Sequence, residues 1–259
     1  MDLGLKGKWA LVCGASKGLG YACAASLAQE GVNLVIAART RQALNESRDR
    51  IAAVSGVEVI AVDADVTTDD GRQRVVQAAP RIDILVTNAG GPPVGDFRKF
   101  SQDDWMRALA SNMLAPIELI RMTVDAMIDR GFGRIVNITS SAVKAPVDVL
   151  CLSNGSRSGL TGFAAGLARQ VARHNVTLNN LLPGKFDTDR LRSNNAQRAH
   201  AAGIAPELEA QRMIQTIPAG RFGMPMEFGQ ACAFLCSAQA AYITGQNLLI
   251  DGGAYPGTF

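Results

Sequence analysis

The chain is poor in the residues that most often carry acid–base and metal chemistry. Its 259 residues include three tyrosines, Tyr21, Tyr242 and Tyr255, and two histidines, His174 and His200. The five cysteines are an odd number without paired spacing, which argues against a disulfide framework. Cys232 and Cys236 would share a helix face, but two histidines leave a zinc site short of ligands. They read as small apolar core residues, and no metal is expected.

Charge of one sign is lacking too. The formal net charge is +3, and lysines and arginines are scattered among acids. A nucleic-acid protein would show a basic stripe with interleaved aromatics, and aromatics are only 5% here. No apolar stretch reaches the roughly 20 residues that span a bilayer. Asp2 and the lack of a long apolar run near it argue against a signal peptide. The expectation is a soluble cytoplasmic protein with a small-molecule substrate and neither membrane nor nucleic-acid partners.

What is present is a regular alternation. Strand-like runs over 9–13, 32–37, 57–62, 82–87, 134–138, 177–181 and 247–250 alternate with helix-like segments over 19–30, 42–54, 70–79, 102–130, 154–173 and 226–237. The strand runs are almost continuously apolar, as strands buried on both faces must be. This predicts an α/β fold: one doubly wound, mostly parallel, Rossmann-like sheet of about seven strands in a single domain. Residues 189–215 break the pattern with a polar, alanine-rich insertion, expected to form a substrate-side lid.

After the first strand come Gly14-Ala15-Ser16-Lys17-Gly18-Leu19-Gly20, opening a helix. Glycines admit a pyrophosphate close to the backbone, and the helix N-terminus favours its charge. NAD-preferring sites place an acid about 20 residues further on, at the end of the second strand. Here that strand ends Ala37-Ala38-Arg39. Arg39 and Lys17 can both face a ribose 2′-phosphate, which predicts NADP(H), with NAD as the second choice.

At this point the sequence resembles the short-chain dehydrogenase/reductase family. The glycine turn matches T-G-x-x-x-G-x-G, with Cys13 in place of Thr. Asp65-Val66 matches the pair that holds adenine, and Thr87-Asn88-Ala89-Gly90 resembles the N-N-A-G motif. Asn112 stands where the family keeps its active-site Asn. Ile138-Thr139-Ser140 matches I-S-S, whose last member is the catalytic Ser. Pro183-Gly184 and Thr188 resemble the P-G-x-x-x-T turn at the nicotinamide end. Tyr242-Ile243-Thr244-Gly245 and Asp251-Gly252-Gly253 match the C-terminal signature. In general appearance the nearest members are 3-oxoacyl-(acyl carrier protein) reductases. The resemblance implies hydride transfer with a Tyr as proton donor and a Lys four residues later. It also implies a homodimer or homotetramer, and Gly162, Ala164, Ala165 and Gly166 would permit close helix contact.

The chain departs from that pattern at the proton donor. Thirteen residues after Ser140 stands Ser153, and four later Arg157, so Tyr and Lys have become Ser and Arg. Arg157 keeps a cation and a rigid fork of donors. A Ser hydroxyl is far less acidic than a Tyr, whose ordinary pKa is about 10. Lys185, beside Pro183-Gly184, is the preferred substitute donor, with Lys144 and Cys151 as further candidates. The expected function is an NADP(H)-dependent oxidoreductase for a ketone, 3-oxoacyl or secondary alcohol group, with a non-standard proton donor. The alternatives are a dinucleotide-binding sensor or scaffold and, behind it, a non-redox lyase or isomerase.

Overall fold

A computed structural model describes residues 1–258. These residues form a seven-stranded, all-parallel sheet. In chain order the strands are β1 (Trp9–Cys13), β2 (Asn33–Ala38), β3 (Val59–Asp63), β4 (Ile84–Thr87), β5 (Gly133–Ile138), β6 (Val176–Pro183) and β7 (Asn247–Ile250). Their order across the sheet is β3-β2-β1-β4-β5-β6-β7. The order reverses between β1 and β4, so a crevice opens at their C-terminal ends.

Pleating sorts the strand residues into two cores. Ala10, Val12, Leu34, Ile36, Ile84 and Val86 face one side and pack on α1 (Gly18–Gln29), α2 (Arg41–Ser55) and the last helix, Pro225–Cys236. Leu11, Val35, Leu85 and Ile135 face the other and pack on α3 (Asp69–Gln77), α5 (Ala115–Asp129) and α6 (Cys151–Val171). Two covered faces explain the unbroken apolar strands. They also explain the cysteines: all five are free, and Cys13, Cys23, Cys232 and Cys236 are buried.

The helical region expected over 102–130 divides at the site. It comprises α4 (Gln102–Leu109), one π-helical turn over Ala110–Leu114, and α5. The insertion at 189–215 consists of two helices, α7 (Asp189–Ala202) and α8 (Pro206–Gln215), ahead of α9 (Pro225–Cys236). The α6 helix starts at Cys151, three residues earlier than the apolar pattern indicates.

A row of polar side chains, buried on β4, β5 and β6 and exposed on β7, crosses this half of the sheet just below the crevice. Thr87 Oγ1 donates to Asn137 Oδ1 at 2.7 Å, and Asn137 Nδ2 donates to Asn180 Oδ1 at 3.0 Å. Asn180 Nδ2 then donates to Asn247 Oδ1 at 2.8 Å. The four residues are direct neighbours in register on β4, β5, β6 and β7. Each bond satisfies a polar group that would otherwise be costly to bury, so the row fixes the relative height of these strand ends.

Candidate active site

The glycine turn is held together by Asn88. Its Nδ2 donates to the Gly14 carbonyl at 3.4 Å, reaching across from the end of β4 to the end of β1. A Cβ on Gly14 would fall 2.6 Å from that Nδ2. One on Gly20 would strike the Gly14 carbonyl and lie 2.8 Å from the same nitrogen. Both positions therefore require glycine for close approach. Gly14 and Gly18 also have positive φ, 61° and 62°, a backbone region that other residues rarely adopt.

Cys13 sits beneath this turn. Burial pushes its thiol up to about 12, only partly offset by the Asn88 backbone N–H. It is a neutral packing group at any ordinary pH.

The turn opens onto α1 with free N–H groups, because Lys17 at its N-cap makes no side-chain cap. Thr188 packs over Gly18, with 3.7 Å between its methyl and a Cβ placed there. Thr188 Oγ1 also accepts from Leu191 N and caps α7. The fold thus brings Gly14, Ser16, Gly18, Leu19 and Gly20 of one segment against Thr188 of another. A diphosphate fits this cradle: it is lined by backbone donors and closed to side chains.

Asp65 and Val66, the pair expected to hold adenine, follow β3. Two bonds from Thr67, backbone N–H and hydroxyl, hold the Asp65 carboxyl below its usual range, and the Arg39 charge adds to this. Arg39 and Lys17 are both exposed. Asp63, opposite Ala38 in register, pairs with Arg74 at 3.7 Å. Lys17 acts on Asp189 across the crevice.

Where the nicotinamide end is expected stand the residues after β4, β5 and β6. Ala89 and Gly90 follow Asn88, and Gly90 is exposed. Ser140 leads a short 3-10 turn, Ser141–Val143, and its Oγ accepts from the Ala142 N–H at 3.1 Å. That leaves the Ser140 hydroxyl hydrogen available to a substrate oxygen. Ser153 and Arg157 lie one turn apart on the buried side of α6, 8% and 7% exposed. Arg157 Nη1 donates to the Ile138 carbonyl at 2.8 Å and Nη2 to the Ala89 carbonyl at 3.4 Å. Its guanidinium thereby ties the ends of β4 and β5. Burial, then the nearby Arg190 charge, lower its pKa to about 10, so it stays cationic at neutral pH.

Asn112 occupies the π-helical turn and is 2% exposed. Its Nδ2 donates to Ser111 Oγ at 2.8 Å and to the Ala108 carbonyl at 3.3 Å. Its Oδ1 is buried with no hydrogen-bond partner. Such an orphan is costly unless a bound molecule satisfies it. Extra turns of this type are common at functional positions.

Pro183 and Gly184 are locked to the last strand: Gly184 N donates to the Ile250 carbonyl at 2.8 Å. Lys185 lies differently from the expectation that it faces the nicotinamide. Its Nζ donates to Thr216 Oγ1 at 2.8 Å, at the C-terminal end of α8. Burial, then Arg198, lower its pKa, with Glu209 opposing. It lines a separate cavity of about 180 Å³ with Arg221, Glu227 and Asp251. Lys144 stands beside the C-terminal segment, its ammonium 6.0 Å from the Tyr255 ring centroid. Sequence order gave no sign that Tyr255 lies beside that loop. Arg190, which the sequence offers with Lys144, Lys185 and Arg192 as a cation for an anionic substrate, is laid against Gly91 by the fold.

Comparison with known proteins agrees with this geometry. Residues 8–199 match the family model described as short chain dehydrogenase. The 3-oxoacyl-[acyl-carrier-protein] reductase FabG of Aquifex aeolicus is 32% identical over 260 residues, covering 98% of this chain and all of that protein. L-sorbose reductase from Gluconobacter frateurii, in a structure complexed with NADPH and L-sorbose, superposes with a TM-score of 0.94. Its identity is 29%, over 99% of this chain and 100% of that one. A single-residue variant of actinorhodin polyketide ketoreductase, with NADPH, superposes at 0.89 with 29% identity, over 95% and 97% of the two chains. No helix among the described residues is long and apolar enough to cross a membrane. With its motifs in order at the switch point of the sheet, the chain belongs to the short-chain dehydrogenase/reductase family of oxidoreductases.

Proposed function

We propose that the protein is an NADP(H)-dependent oxidoreductase acting on a ketone, 3-oxoacyl or secondary alcohol group. The observation that carries this reading is the convergence of the Asn88-braced glycine turn, Ser140 and the buried Arg157 cation at one crevice. The dinucleotide, when bound, supplies or accepts the hydride. Gly14 to Gly20 and Thr188 hold its diphosphate, and Asp65 with Val66 hold its adenine. Asn88, Ala89, Gly90, Arg157, Pro183 and Gly184 hold the nicotinamide end.

Ser140 donates its free hydroxyl hydrogen to the substrate oxygen. Arg157 stabilises negative charge on that oxygen as it develops, in a site where burial strengthens the interaction. Ser153 Oγ stands where a stronger acid is usual, and it passes on a proton rather than releasing one of its own. Asn112 Oδ1 holds a solvent molecule that resupplies it. Lys185 takes part as an acid only by exchanging Thr216 for the substrate. Residues 189–215 act as the lid over this crevice. Outward-facing Gly162, Ala165 and Gly166 on α6 leave room for a second copy, in keeping with a homo-oligomer, whereas Ala164 is buried in the core.

NADP(H) is preferred over NAD in this reading, because β2 ends at Ala38 with Arg39 following and no acid at that point. The second reading, a dinucleotide sensor that has lost catalysis, draws on Ser153 and Arg157 standing for the acid couple. Oxidation of NADPH against a panel of carbonyls separates the two. Turnover that falls sharply in Ser140→Ala supports the oxidoreductase. Tight NADPH binding without turnover, unchanged in Ser140→Ala, supports the sensor. Tighter binding of NAD than of NADP would refute the cofactor assignment.

A further inference from the structure

We propose that Arg190, together with Arg157, forms a seat for a carboxylate carried by the substrate, making Arg190 a specificity-determining residue. The inference rests on the oxidoreductase reading above. Four cations near the lid, Lys144, Lys185, Arg190 and Arg192, are available to an anion by sequence alone. The fold pairs one of them with acids and turns two towards neutral groups. Arg192 bonds Asp187 and also Asp189, the latter at 2.7 Å. Lys185 bonds Thr216, and Lys144 lies over Tyr255.

Arg190 is an exposed residue whose guanidinium lies over Gly91. A Cβ on Gly91 would lie 2.5 Å from Arg190 Nη2 and 2.7 Å from Nη1, so the glycine makes the room in which the guanidinium lies. Two residues earlier, the Ala89 carbonyl receives Arg157 Nη2. Two guanidinium groups thus converge on the three-residue stretch Ala89-Gly90-Gly91. Among the described residues no carboxylate lies within 4.0 Å of either one.

Like charges held together without a counterion favour an anion between them. Arg157 uses two of its five donors on backbone carbonyls, and Arg190 carries a full fork. Paired forks suit the planar, bidentate oxygens of a carboxylate. Arg157 also bonds the Ile138 carbonyl, two residues before Ser140, so a carbonyl on Ser140 and a carboxylate reaching Arg190 fit one small molecule: an oxo acid or its hydroxy acid.

The test uses the full chain with NADPH and two probes, acetoacetate and 4-oxopentanoate, each against its methyl ester. The expected result is a preference for the acids of about 10- to 100-fold in kcat/KM. Arg190→Met should remove that preference by raising KM for the acids, with the esters and the NADPH Kd unchanged. Gly91→Ala, which crowds the guanidinium, should do the same. Equal turnover of acid and ester by the unaltered protein overturns the proposal. So does an Arg190→Met variant that weakens NADPH binding instead, which would assign Arg190 to the cofactor diphosphate. Absence of turnover on every probe would count against the oxidoreductase reading alone. Calorimetric binding of acetoacetate to the protein–NADP complex then decides the carboxylate seat: binding lost in Arg190→Met supports it, and no binding to the unaltered protein overturns it.

Discussion

Asn137→Ala tests the reasoning about how the strand ends are held. Asn137 is fully buried and serves two neighbours: it accepts from Thr87 Oγ1 at 2.7 Å and donates to Asn180 Oδ1 at 3.0 Å. Alanine leaves both partners buried and unsatisfied. Each orphan costs about 1–3 kcal/mol, so the substitution should cost about 2–6 kcal/mol before any cavity is counted. Native stability is only about 5–15 kcal/mol, so this is a large fraction. At roughly 2–4 °C per kcal/mol for a chain of this size, Tm should fall by at least about 4 °C. Asn247→Ala is the internal control, because Asn247 is exposed and water can replace it. It should shift Tm far less. Thr87→Val removes the orphaned donor. The double variant Thr87→Val/Asn137→Ala should therefore lose less than the sum of the singles, by about 0.5 kcal/mol or more. Thermal unfolding by calorimetry reads all four variants against the unaltered protein. An Asn137→Ala Tm within about 2 °C of the unaltered protein, or equal losses for Asn137→Ala and Asn247→Ala, would refute the argument.

Two further outcomes follow from the same structure. Ser153→Tyr with Arg157→Lys should raise kcat for carbonyl reduction by about 10²–10⁴-fold, the usual contribution of general acid catalysis; a folded, NADPH-binding double variant with no gain would show that the pocket serves other chemistry. Brief alkylation of the native protein with iodoacetamide, read by mass spectrometry, should label Cys151, which is half-buried, and spare Cys13, Cys23, Cys232 and Cys236. Burial raises the Cys13 thiol to about 12, so labelling there at neutral pH would contradict its seat under the glycine turn.

Most of the fold was legible because parallel strands buried on both faces leave an unbroken apolar signature. The fully buried run at Trp9–Cys13 coincides with β1 residue for residue, and the half-exposed edge run at Asn247–Ile250 does so with β7. Strand ends elsewhere moved by a residue or two, since hydrophobicity does not mark where a ladder begins. The π-helical turn at Asn112 was not legible: a single wide turn inside a long helical stretch carries no residue-type signal of its own. The expected role of Lys185 shows the same boundary. Its neighbours Pro183 and Gly184 sit on the turn as expected, but which way its own side chain points was set by Thr216, 31 residues away.

By itself the sequence determined the sheet, the glycine turn, the missing Tyr and Lys, and the absence of an acid after β2. These are local facts, fixed by residue type and by spacing within one segment. Only the tertiary structure decided which cations are free. Arg192 and Lys185 found partners on or beside α7 and α8, while Arg190 came to lie on Gly91, 99 residues earlier in the chain. Charge in a sequence is a property of single residues. Whether that charge is spent or available depends on which groups lie within a few ångströms once the chain has folded.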